Sequence, residues 1–236
     1  MTLLEFFFMF FVKVIPSCQD DMVLIEGEHC PVVEQTCIHW LDDETLPFAR
    51  CAEYKKPTIC KSERVYMKYC IDKYEYPDAT GLPMANVSWT DAVRICKENG
   101  KHLCAESEWL FACEGAEANP YPYGYKRDST ICNIDKTHLV ENGVLLNLHQ
   151  PVKDNPKCVS IFGVRNLTGN SDEWVVLDYP YWTSYGTKQN SGLMGGWEMP
   201  ARNRCRPITK GHDEFYHGLQ TGFRCCSETL VYKDII

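Results

Sequence analysis

No run of apolar residues in this chain is long enough to cross a bilayer. The Leu3 to Val14 stretch is interrupted by Glu5 and Lys13 and falls well short of the roughly 20 residues a spanning helix needs. Basic residues are in deficit, 24 Lys and Arg against 32 Asp and Glu for a formal net charge of −8. They are also scattered, so no stripe can follow a phosphate backbone, and nucleic acid is excluded as a partner. There is no internal repeat and no low-complexity segment, which excludes solenoids and disordered tails. Nor is there any C-x-x-C pair. Zinc is the competing use of so many cysteines, but the adjacent Cys225 and Cys226 have the wrong geometry for two ligands of one tetrahedral site. One absence is local. Between Gly196 and Gly222 the chain has a single cysteine, Cys205, although it holds 14 in all.

Those 14 cysteines spread irregularly from Cys18 to Cys226. In a chain of 236 residues this density implies disulfides made in an oxidising compartment, hence a secreted or periplasmic and cell-envelope protein. With 44% apolar and 12% aromatic residues the chain can bury one large core. Residues 1–17 read as a signal segment, though no basic residue precedes its apolar core. Lipid attachment at Cys18 is disfavoured by Pro16, and Cys18 reads as the first structural cysteine. Residues 18–236 read as a single domain. A cysteine-rich insertion at about 28–65, carrying Cys30, Cys37, Cys51 and Cys60, has mixed polarity and little sign of regular structure. It is expected to be held to the body by disulfides.

Two helices are legible. Ser88 with Asp91 three residues on is a capping box, Ala92, Val93, Ile95 and Cys96 make an apolar face, and Asn99-Gly100 stops the helix. A second helix is expected from about Ala105 to Cys113, with Glu106 and Glu108 where the helix dipole favours carboxylates and Trp109, Ala112 and Cys113 on one face. Strands are expected at Met22–Ile25, Trp174–Leu177 and Gly222–Cys226. The fold class is α+β, a loop-rich, twisted antiparallel sheet with two short helices, braced by disulfides.

The blocks VSWTDAVRIC, GKHLCAESEWLFAC, NLTGNSDEW, GGW and GFRCC occur in that order, with MVLIEG at Met22 and YCIDKYEYP at Tyr69 ahead of them. Together they resemble the formylglycine-generating enzyme, or sulfatase-modifying factor, family, over roughly residues 20 to 228. The resemblance implies a variant of the C-type lectin fold. It implies disulfides between Cys96 and Cys225 and between Cys113 and Cys205. It implies calcium at Asn166, Gly169, Ser171 and Glu173, through side-chain oxygens of the outer two and carbonyls of the inner two, an oxygen-rich set of the kind calcium takes. A second calcium set would begin at Asn133 and Ile134, with an acidic partner the sequence does not place. Asn166, Leu167 and Thr168 also spell an N-glycosylation sequon.

Active members of the family carry two cysteines between the GG turn and the R-x-R-C segment, which hold substrate and copper(I). Here Gly195-Gly196 is followed by Trp197, Glu198, Met199, Pro200, Ala201, Arg202, Asn203, Arg204 and then Cys205, with no thiol before the structural one. Copper(I) requires soft thiolates, and the thioether of Met199 is a poor substitute. Copper is therefore not expected, and the leading reading is a calcium-binding, secreted binding module. The alternative is a formylglycine-generating oxidoreductase with an altered site. Trp197, Arg202, Arg204 and Arg206, with Lys210 nearby, suggest a cationic, aromatic groove for an extended peptide, an acidic ligand or a glycan; equally, the arginines would serve as partners for carboxylates. His212, Asp213, Glu214 and His217 offer metal-ligand chemistry, but read more simply as a solvated loop.

Overall fold

A computed structural model describes residues 13–46 and 48–234. The stretch read as a leader lies mostly outside them; its last part, Lys13–Ser17, is a strand antiparallel to Leu230–Asp234. Two four-stranded sheets form the body. One is ordered Met22–His29, Val65–Asp72, Cys225–Ser227, His102–Leu103, and the other Ile208–Thr209, Lys188–Met194, Asp172–Trp182, Thr221–Phe223. Pairing is antiparallel throughout both except where Asp172–Trp174 runs parallel to Thr221–Phe223. The expected single strand Gly222–Cys226 is thus two, and the chain passes from one sheet to the other at Arg224.

Helix α1 spans Trp89–Glu98 and α2 spans Glu106–Glu114. Ser88 Oγ accepts the Asp91 amide at 3.1 Å, and the Glu108 carboxylate accepts the Ala105 amide at 2.8 Å, so each first turn is capped by a side chain. The apolar stripe of α1 buries Ala92 and Cys96. Helix α2 has no solvent face along its second half: Trp109, Leu110, Phe111, Ala112, Cys113 and Glu114 are all buried. It is the central element of the larger core, with Ile25, Ile71, Leu167, Val175 and Met194 around it. A second core under α1 gathers Trp174, Leu193 and Phe223.

All 14 cysteines are paired. Cys96 joins Cys225 and Cys113 joins Cys205. Cys104 joins Cys226, and the rest pair as Cys18–Cys70, Cys30–Cys60, Cys37–Cys51 and Cys132–Cys158. Adjacent residues of a strand face opposite sides, so Cys225 enters the core under α1 while Cys226 enters the larger one. The two neighbours staple both layers at once.

The insertion departs from expectation. Its two disulfides, Cys30–Cys60 and Cys37–Cys51, close it on itself and none reaches the body. Short strands, Val33–Glu34 with Ile59–Cys60 and Cys37–Trp40 with Cys51–Tyr54, order it further. Hydrogen bonds dock it instead: Arg206 donates to the carbonyls of Cys30 and Pro31 at 2.8 and 2.9 Å, Tyr121 Oη to Cys51 O at 2.7 Å, and the Tyr54 amide to Tyr125 O at 3.0 Å.

Candidate functional site

The GG turn and the segment after it form one wall of a cavity of about 260 Å³, lined among others by Gly196, Trp197, Met199, Ala201 and Arg202. Asp172 enters from the long strand, Thr209 from the edge strand Ile208–Thr209, His212 and Gln220 from the loops that follow, and Phe48 reaches over from the insertion. Gly195 and Gly196 both have positive φ, 86° and 71°. A Cβ at Gly195 would sit 2.9 Å from Leu167 O, so the turn that aims this segment demands glycine.

Arg202 is the cation of the cavity. Its Nη2 donates to Asp172 Oδ2 at 2.5 Å, the Gly196 amide donates to Asp172 Oδ1 at 3.3 Å, and the buried Arg202 Nη1 has no hydrogen-bond partner among the described residues. Burial pushes the Asp172 pKa up to about 6, with Arg202 pulling it back. His212 lies flat on Tyr216, ring centroids 3.8 Å apart, and burial followed by the Arg202 charge lowers its pKa.

The four-residue groove read from the sequence is divided. Trp197 and Arg202 line the cavity, whereas Arg206 holds the buried Glu114 by two bonds of 2.6 and 2.7 Å. Arg204 bonds Gln35 Oε1 at 3.2 Å and lies 5.6 Å over the Tyr54 ring. The segment 202–206 is not a strand, so the even spacing of its arginines does not place them on one face. Two of them became anchors for the insertion. The acidic loop is likewise dispersed. Asp213 Oδ1 accepts the amides of Phe215 and Tyr216 at 2.9 Å, and Glu214 Oε1 accepts from Asn190. Among the described residues the one compact ligand-type cluster is Cys104, Glu108 and Cys226, and its sulfurs are joined to each other.

The calcium set lies in the core. Glu173 Oε1 and Oε2 accept Arg224 Nη2 and Nε, both at 2.6 Å, and Oε2 also accepts Trp109 Nε1 at 2.8 Å. Asn166 turns its amide nitrogen to Glu75 Oε2 at 2.9 Å and Val152 O at 3.1 Å, leaving its buried Oδ1 unpaired among the described residues. Asn170 also donates to Glu75. Burial, then repulsion by Glu173, raises the Glu75 pKa to about 8. Among the described residues the Oδ1 atoms of Asn166 and of the neighbouring Asn133 are both buried without a hydrogen bond, but the one carboxylate in the set is committed to a guanidinium, so Glu173 as arranged offers no free oxygen to a calcium shell. Asn133 and Ile134 pack on the same loop: the Asn170 amide donates to Asn133 O at 3.0 Å and Asn133 Nδ2 to Asn170 Oδ1 at 3.0 Å. A Cβ at Gly169 would meet Asn133 O at 2.4 Å. Sequence reading missed Glu75 and Arg224, although both stand inside quoted motifs, YCIDKYEYP and GFRCC.

The Sulfatase-modifying factor enzyme 1-like domain model matches residues 37–229, and the chain belongs to that family. Inactive C-alpha-formylglycine-generating enzyme 2 of Bos taurus is 30% identical over 163 residues, covering 62% of this chain and 50% of the relative. Formylglycine-generating enzyme of Bos taurus is 31% identical over 131 residues, 50% of this chain and 33% of the relative. The chain thus spans about half, or less, of the curated relatives it matches. In the solved structure of CarF the fold recurs with a TM-score of 0.60 at 15% identity over 88% of this chain and 98% of that one. Treponema denticola variable protein 1 gives 0.55 at 11% identity over 86% and 99%. No helix among the described residues is long and apolar enough to cross a membrane.

Proposed function

We propose that this is a secreted family domain that binds an extended peptide in the cavity beside Trp197 and Arg202 and does not oxidise it. One observation carries the reading. Every cysteine is spent in a disulfide, and Cys205, the sole sulfur of its segment able to form a thiolate, is tied to Cys113. Copper(I) needs a pair of free thiolates, and none borders the cavity. Relatives named as inactive are in keeping with this. Seven disulfides fit export through an oxidising compartment. The cavity supplies an aromatic wall, a thioether and a guanidinium, a mixture suited to a side chain or carboxylate of a bound peptide.

The test is calorimetric titration with a sulfatase-type peptide bearing C-x-P-x-R. Binding by the parent, weakened about tenfold in Trp197→Ala through loss of roughly 1.4 kcal/mol of stacking and burial, supports the reading. Equal binding by both, or none by the parent, contradicts it.

A further inference from the structure

Two sequons stand in the chain, Asn86-Val87-Ser88 and Asn166-Leu167-Thr168, and the fold treats their acceptor nitrogens in opposite ways. Asn166 is 1% exposed, and its Nδ2, the atom a glycan would occupy, already donates to Glu75 and Val152. Asn86 is exposed, and its side-chain amide makes no hydrogen bond to the described residues. The backbone around Asn86 is fixed: its amide donates to Gly218 O at 3.1 Å, and Val87 O accepts Trp174 Nε1 at 2.7 Å and Thr221 Oγ1 at 2.8 Å. Asn86 takes φ 55°, a left-handed turn that asparagine tolerates better than most residues. The turn is therefore pinned from inside while its side chain stands in solvent.

We infer that Asn86 is an N-glycan acceptor and that the folded protein carries no glycan at Asn166. This rests on the export proposed above. The donor is a lipid-diphosphate-linked oligosaccharide. The bond from its anomeric carbon to the diphosphate oxygen breaks, a bond from that carbon to Asn86 Nδ2 forms, one amide proton is released, and the lipid diphosphate leaves. No electrons are exchanged. Transfer to such a motif precedes folding, so burial acts afterwards. A glycan on Asn166 would displace Glu75 and Val152 from the core, and chains so modified would not fold. At Asn86 the sugar stands in solvent, next to Val87, which is buried in the core under α1, and Ser88, which caps that helix.

The full chain is expressed behind a secretory leader in a eukaryotic host, and intact mass is read before and after amidase release of N-glycans, in both the medium and the cell lysate. The expected result is one glycan on the parent, located at Asn86 by the Asn-to-Asp conversion that release leaves behind, and none on Asn86→Gly, which suits the left-handed turn. Ser88→Thr, which keeps both the sequon and a capping hydroxyl, should retain the glycan. An unmodified parent, or a glycan that persists on Asn86→Gly recovered from the medium, overturns the inference. Retention of the parent in the cell with Asn86 occupied would count against export and leave the acceptor assignment standing.

Discussion

Arg224 lays two guanidinium nitrogens on the carboxylate of Glu173, each at 2.6 Å, with neither side chain exposed. It does so at the residue where the chain leaves one sheet for the other, and Glu173 belongs to the long strand of the second sheet. The pair thus ties the two layers in the core. Removing one partner leaves a buried charge without compensation, so Glu173→Gln and Arg224→Met should each cost about 3–5 kcal/mol in urea denaturation. The double variant Glu173→Leu/Arg224→Met should cost less than the sum. Because the carboxylate is committed to arginine, the parent should melt at the same temperature in calcium and in chelator; a large calcium-dependent rise would return Glu173 to the role of a ligand.

Arg206 should prove structural. Arg206→Ala strips Glu114 of its partner in a buried site and frees two carbonyls of the insertion, for a loss of about 3 kcal/mol. Amide exchange over residues 30–54 should quicken more than elsewhere. Arg204→Ala removes a hydrogen bond and a stacked contact at the rim, and should cost about 1 kcal/mol.

Disulfide mapping without reduction should return Cys104 with Cys226 beside Cys96 with Cys225. Removing the second pair as Cys96→Ala/Cys225→Ala opens a loop with a sequence separation of 129, which the chain-entropy model values at about 4–5 kcal/mol. A variant as stable as the parent would contradict that account.

His29 gives the fold an acid-sensitive element. It is 3% exposed, 3.5 Å from Glu114 and tilted against Phe111. Burial, then the charges of Arg206 and Arg64, holds its pKa at about 4. Between that value and the ordinary 6.5 the unfolded chain takes up a proton that the folded chain refuses, so stability falls as pH drops through this window, by up to about 3 kcal/mol. Burial raises Glu114 and Glu198 to about 7, and these act with the opposite sign: their contribution is present below about 4.5 and is lost as pH rises through about 7. The histidine is isolated by difference. Relative to the parent, His29→Gln should gain stability progressively from pH 6.5 to 4; a constant difference would refute the assignment.

The helices were legible from their capping residues and the family from the order of its motifs, and the resemblance implied two of the seven disulfides, Cys96–Cys225 and Cys113–Cys205. The division of the arginines was not legible. Arg202, Arg204 and Arg206 alternate as a strand would, and only the irregular backbone sends one to Asp172 and two to the insertion. Nor could sequence show that Glu173 meets Arg224, a contact across 51 residues between motifs each read for something else, oxygen ligands in one and cysteines in the other. The insertion's docking escaped notice because it depends on main-chain carbonyls, which no side-chain pattern reports.

The central claim is that no thiol pair remains to run the family's oxidation. Its most direct test is to incubate the purified, fully oxidised protein with copper(I), oxygen and a C-x-P-x-R peptide and follow the peptide by mass spectrometry. The account predicts that the peptide cysteine stays intact and that copper is not retained at one equivalent. Stoichiometric copper binding with conversion of the peptide cysteine to formylglycine would contradict it.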